Sequence, residues 1–132
     1  MSSPTRDTML LKTPFHSRVE AACAVNDWGN WMGYTTPNAY FDVELEYFAV
    51  RSTTGVFDLS PMNKYQISGP DAEAYLNRLV TRDVAKIGIN RVGYAIWCND
   101  SGQVLDDGTI FRFSDNEFRL CSYQRADDWL AW

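Results

Sequence analysis

The chain has 132 residues, of which 45% are aliphatic, aromatic or cysteine and 22% are charged, a balance that excludes a disordered polymer and suits a domain-sized globular protein. A net charge of −5, with no Lys/Arg cluster interleaved with aromatics, leaves no electrostatic footprint for nucleic acid or an anionic membrane surface. Cys23, Cys98 and Cys121 are widely spaced, with neither metal-ligand spacing nor a disulfide framework, so a reducing setting is expected and no metal site is read.

Met1 to Asp7 is polar, with no apolar leader segment after it, and no apolar run approaches the roughly 20 residues of a membrane span. A cytoplasmic location is expected, or a mitochondrial matrix in a eukaryote, although no transit peptide is read. Pro14 to Val25 suits a helix with Val19, Ala22 and Cys23 on one face. Asp27 to Tyr34 alternates glycines with large rings and fits neither a helical nor a strand period, which predicts an irregular loop extended by Pro37 and Asn38. From Asp42 to Ser52, Val43, Tyr47 and Val50 recur at helical spacing behind Asp42 as a cap, with Gly55 as a stop. Val56 to Ser60 is a short alternating segment closed by Pro61.

The remainder has a clear rhythm. Strands are predicted at 64–68, 92–99, 104–113 and 117–122, with a helix after Asp71 whose apolar stripe is Ala72, Tyr75, Leu76 and Leu79. A further helix is predicted from Arg125. The expected fold is α+β: a split βαβ, ferredoxin-like antiparallel sheet with helices, preceded by a helical and irregular N-terminal segment of a first domain. The boundary is placed between residues 1–60 and 61–132. Trp129, Leu130 and Trp132 end the chain on large apolar groups, which predicts a front portion of a longer polypeptide and self-association of the isolated piece.

The candidate chemistry sits in Leu105-Asp106-Asp107-Gly108. Adjacent residues of a strand face opposite ways, so one carboxylate is expected in water and the other turned inward, where it needs a positive group or a proton donor. Asp107 beside an aromatic wall would hold a ligand amine or accept a proton. Phe111 lies on the same strand face as Asp107, and Tyr94 on the preceding strand could join them if the two strands pair. These rings could stack on a planar heterocycle, although core packing is the more frequent fate of a single ring. His16, the one histidine, reads as a surface or capping residue, and Ser60 and Ser122 lack the context of a nucleophilic serine. Gly29 and Gly33 do not make a dinucleotide fingerprint.

Several phrases then stand in a telling order: Thr13-Pro14 before an apolar helix, Trp31, Glu46 to Arg51, Gly55 to Met62, Ser68 to Ala72, Leu79 to Val84, and Leu105-Asp106-Asp107. Together they resemble the N-terminal part of the glycine cleavage T-protein (aminomethyltransferase) family of folate-dependent one-carbon transferases, over about Thr13 to Trp132. The resemblance implies a longer protein of three domains around a folate site, this chain supplying the start of the first domain and a folate-binding subdomain. It implies that Asp107 contacts the reactive end of tetrahydrofolate and positions its amine. It further implies that Tyr94 lines the folate site, that Met62 lies near the pterin, and that Phe111 stands where a Tyr is frequent. Implied partners are a small one-carbon donor or a lipoyl-carrier protein, together with the remaining domains. Pro61, Gly108 and Ser122 to Arg125 depart from the family's phrases, which leaves other one-carbon donors open. The alternatives are a folate-dependent demethylase of the same superfamily and a folate-binding accessory or regulatory module without turnover. The isolated piece is expected to bind folate poorly and to be inactive.

Overall fold

The computed structural model describes residues 9–123, and the chain divides into two compact units after Pro61. The predicted helix from Arg125 and the terminal Trp129 and Trp132 lie outside the described residues.

In the first unit, helix α1 spans His16–Ala22, shorter at both ends than the sequence suggests. The predicted aromatic loop is instead a hairpin, strands β1 (Trp28–Trp31) and β2 (Tyr34–Pro37), joined by Met32 and Gly33. Both joining residues have positive φ, 53° and 83°, the conformation a two-residue type I′ connection demands. Gly33 takes it freely, Met32 does not, and Asn30 supports the turn by accepting from the Gly33 N–H at 2.9 Å. A Met in this place hides the usual Asn-Gly signal. The strands also lack an alternating buried face, so period 2 never appears in the sequence.

Helix α2 spans Val43–Ser52 and begins as predicted, with the Asp42 carboxylate accepting from the Leu45 N–H at 2.9 Å. Glu46 reaches back to accept from the Tyr40 and Phe41 N–H groups. The alternating segment Val56 to Ser60 forms no strand.

The second unit is the antiparallel sheet. Strands β3 (Asn63–Ser68), β4 (Arg91–Cys98), β5 (Val104–Ser114) and β6 (Glu117–Ser122) stand in the order β3-β6-β5-β4, every pair antiparallel. Helix α3 (Ala72–Leu79) and a 3-10 turn (Val84–Lys86) fill the connection from β3 to β4. The α+β class and the antiparallel sheet agree with expectation, and the meander β4-β5-β6 closes back on β3 as its edge.

One face of this sheet is the core. Ala95 and Trp97 of β4, Ile110 of β5 and Phe118 and Leu120 of β6 pack with Ala72 and Leu76 of α3, Val80, Val84 and Ile87. Burying large side chains of this kind stabilises the unit by about 1.5–3 kcal/mol each. Arg112 closes the core's edge: its side chain pairs with Glu73 at 2.9 Å and donates to the Ile87 carbonyl, with the guanidinium 5.3 Å from the Phe118 ring centre. The opposite face carries Val92, Tyr94 and Ile96 of β4 and Asp107, Thr109, Phe111 and Phe113 of β5. Among the described residues no helix is long and apolar enough to cross a membrane.

Candidate functional site

The two aspartates take their faces from the regular alternation of β5, whose pairing with β4 runs unbroken from Arg112 to Asp106. Trp97 pairs with Asp106, yet Cys98 pairs with Val104, so β5 carries Leu105 as an extra residue. A bulge of this kind bends the strand locally. Beyond it, Asp106 shares the face of Gly108 and Ile110, while Asp107 shares the opposite face with Thr109 and Phe111.

Asp106 is the half-buried member and Asp107 is exposed, so of the two carboxylates it is Asp106 that turns inward and Asp107 that faces water. The physical reason is the two-residue period of the strand. Gly108 and Ile110 face the core, so alternation puts Asp106 on the core side opposite the buried Trp97 and Asp107 on the open face. Asp106 Oδ1 accepts from the Asp107 N–H at 2.9 Å, which keeps the two residues in extended geometry.

Asp107 does meet a proton donor. The Tyr94 hydroxyl donates a hydrogen bond to Asp107 Oδ2. The register explains why: Ile96 lies opposite Asp107 and Tyr94 opposite Thr109, so Tyr94 and Asp107 are diagonal neighbours on one face. A phenol is long enough to span that diagonal. The bond to the carboxylate holds the Tyr94 phenol above the ordinary tyrosine range, with partial desolvation and the charges of Asp107 and Asp106 acting the same way.

Around this pair the open face is mixed. A row across the sheet runs Tyr94, Thr109, Cys121, Lys64. Burial pushes the Cys121 thiol up, against the opposing pull of Lys64, a hydrogen bond with Thr109, and Arg119. Phe111 stands four residues from Asp107, roughly 13 Å along the strand. It stacks on Phe113 with ring centres 6.4 Å apart, and Arg119 covers the Phe113 ring at 5.0 Å. Phe111 therefore extends the apolar part of the face and does not touch the carboxylate. Met62 is half-buried just before β3, at the same end of the sheet as Asp107, with β6 between, about 10 Å of ladder spacing away. The structure thus brings Tyr94 and Asp107 together and leaves Phe111 and Met62 at the margins of the same face. The Leu105 bulge and the Tyr94 bond are what sequence reasoning missed. Only the Tyr94 bond had a signal, since both residues fall on paired strands.

The first unit holds a separate groove of about 560 Å³, lined by Thr13, His16, Trp31, Tyr47 and Phe57 among others. His16 is buried in it, 5.3 Å from the Trp28 ring, not on the surface as the sequence suggests. Its place as first residue of α1, held by a bond from its N–H to the Thr13 carbonyl, turns the ring inward. Among the described residues no cluster of three His, Cys, Asp or Glu side chains stands ready for a metal ion.

The family described as GCVT N-terminal domain matches residues 15–132. The chain belongs to that family. The relatives carry the same message. An aminomethyltransferase of Listeria monocytogenes serotype 4a (strain HCC23) is 35% identical over 114 residues, covering 86% of this chain and 31% of the relative. A probable aminomethyltransferase of Natronomonas pharaonis is 37% identical over 109 residues, covering 81% and 30%. The crystal structure of glycine cleavage system aminomethyltransferase T from Bartonella henselae superposes with a TM-score of 0.69 at 24% identity, over 90% of this chain and 33% of that one. At that identity the superposition shows the fold. This GCVT-type chain spans about a third of the length of the relatives it matches.

Proposed function

We propose that this chain is the folate-facing part of a tetrahydrofolate-dependent one-carbon transferase of the aminomethyltransferase type, with Asp107 as the acting carboxylate. The observation that carries the reading is the Tyr94–Asp107 pair: an exposed carboxylate, tethered by a phenol, on the open face of a sheet whose family is represented by aminomethyltransferases. Tyr94, Phe111 and Met62 are the cofactor-face residues, and Thr109 lies between Tyr94 and the next strand.

The chemistry suits such a group. As the carbon of the one-carbon unit bonds to the substrate amine, its bond to the donor atom breaks and the donor leaves with the electron pair. The amine nitrogen then carries positive charge and a proton to lose. Asp107 stabilises that charge and accepts the proton. A ring such as Tyr94 offers a flat apolar surface to a pterin. The proposed partners are a small one-carbon donor or a lipoyl-carrier protein, and the cytoplasm is the proposed location. A folate-binding module without turnover has less use for a carboxylate presented to solvent beside a phenol.

The binding half of this reading is tested by titrating tetrahydrofolate into isotope-labelled protein at millimolar concentration and following amide shifts. Shifts centred on Tyr94, Asp107, Phe111 and Met62 support the placement. A response confined to the first unit, or no response at millimolar ligand, contradicts it.

A further inference from the structure

Asp107 presents a problem that its neighbours solve. It is exposed, it follows a bulge, and it stands on the solvent side of its strand. An exposed carboxylate of this kind samples several side-chain rotamers, and most of them aim its oxygens away from any one substrate position. Fixing it requires a partner on the same face. Ile96, directly opposite, is apolar and donates nothing. Thr109, two residues on, is paired toward Cys121 on the neighbouring strand. The phenol of Tyr94 is the group that reaches it.

We infer that the Tyr94 hydroxyl is a positioning residue for the transfer: it holds Asp107 Oδ2 and so leaves Oδ1 as the oxygen offered to the substrate amine. This rests on the proposed role of Asp107. It separates two contributions of one side chain, the ring as a surface for a flat ligand and the hydroxyl as a clamp on the carboxylate. Tyr94 is itself 55% exposed, and its backbone carbonyl accepts from Arg82 Nη1 at 3.2 Å, so the strand edge that carries the phenol is fixed independently of the hydroxyl. Removing the hydroxyl alone therefore leaves the ring and the strand in place. Misaiming a catalytic group by a fraction of its bond length is enough to slow a transfer severely while leaving binding intact.

The experiment is a set of variants in the native protein, assayed for one-carbon transfer to tetrahydrofolate. Tyr94→Phe is expected to lower kcat about tenfold or more, with KM for tetrahydrofolate within about twofold and an unchanged melting temperature. Tyr94→Leu, which also removes the ring, is expected to raise KM. Adding Tyr94→Phe to Asp107→Asn is expected to change kcat no further, because the hydroxyl acts through that carboxylate. If Asp107→Asn abolishes turnover and Tyr94→Phe keeps the full kcat, the positioning role is overturned while Asp107 stands. An additive loss in the double variant likewise overturns it. If Asp107→Asn retains full turnover, the underlying role of Asp107 is what fails.

Discussion

The backbone carbonyl of Cys121 occupies the space that a side chain at Gly108 would need. A Cβ built on Gly108 meets the ring edge of Trp97 at 3.2 Å and runs into the backbone carbonyl oxygen of Cys121. The glycine directly after the aspartate pair is thereby explained by packing: the β6 backbone at Cys121, with the Trp97 ring of β4 behind it, leaves no room for a Cβ. Gly108→Ala is expected to destabilise the second unit by about 1–3 kcal/mol through overpacking. Trp97→Ala is expected to cost about 3–5 kcal/mol through the cavity it leaves. Urea denaturation followed by tryptophan fluorescence and circular dichroism checks both, and a neutral Gly108→Ala would contradict the close approach.

Arg112 ties the sheet to the helical side of the second unit, and its side chain is only 11% exposed. Arg112→Met keeps the aliphatic cover on Phe118 but loses the bonds to Glu73 and to the Ile87 carbonyl, an expected cost of about 1.5–3 kcal/mol. Asp115, which also pairs with Arg112, has a side chain 82% exposed, so Asp115→Asn is expected to change stability by less than about 0.5 kcal/mol. The contrast between the two variants in a denaturant series tests which contact matters.

Helix α2 depends on its cap to an unusual degree, because none of its residues is buried. Asp42→Ala removes the acceptor for the Leu45 N–H and is expected to cost about 0.5–2 kcal/mol of helix stability. Hydrogen exchange at Leu45 and its neighbours should accelerate in this variant while the sheet of the second unit keeps its protection.

How much of this was open to reading from the amino acids depends on which force dominated locally. Strands β3 to β6 and helix α3 were legible because their burial alternates with the correct period, as in Asn63–Ser68, where half-buried and exposed residues alternate. The β1–β2 hairpin was not, because its residues, half-buried apart from the exposed Asn30, show no alternation and its turn uses Met32 in a conformation a side chain resists. The aspartate pair is legible, and so is the face Asp107 shares with Phe111 and Tyr94, because the pairing is unbroken from Arg112 to Asp106; the Leu105 bulge before the pair carries no glycine or proline to mark it. His16 was misplaced because burial of a single residue at the first turn of a short helix leaves no periodic trace.

The pH dependence of Tyr94 follows from its bond. The phenol must be protonated to donate to Asp107, and partial desolvation and the charges of Asp107 and Asp106 also oppose the phenolate, so its pKa in the folded state lies above the ordinary value of 10.0. Whatever the bond contributes is therefore fully present below that ordinary value and is lost as the pH rises through the raised one. Carbon-13 spectra of ring-labelled tyrosine should show Tyr94 titrating later than tyrosine in the unfolded chain. In Asp107→Asn, which removes the charge but not the acceptor, it should move part of the way back toward the ordinary range, and an unchanged titration there would contradict the part played by the carboxylate charge.

The account turns on Asp107, and the most direct measurement is the rate of one-carbon transfer to tetrahydrofolate by the native protein and its Asp107→Asn variant, alongside the dissociation constant for tetrahydrofolate. The carboxamide keeps the size of the side chain and can still bond to Tyr94, but it neither accepts a proton nor carries charge. Turnover is expected to fall by about 10²-fold or more, with tetrahydrofolate binding changed by less than about fivefold. Turnover at the wild-type rate in Asp107→Asn would contradict the assignment of this carboxylate.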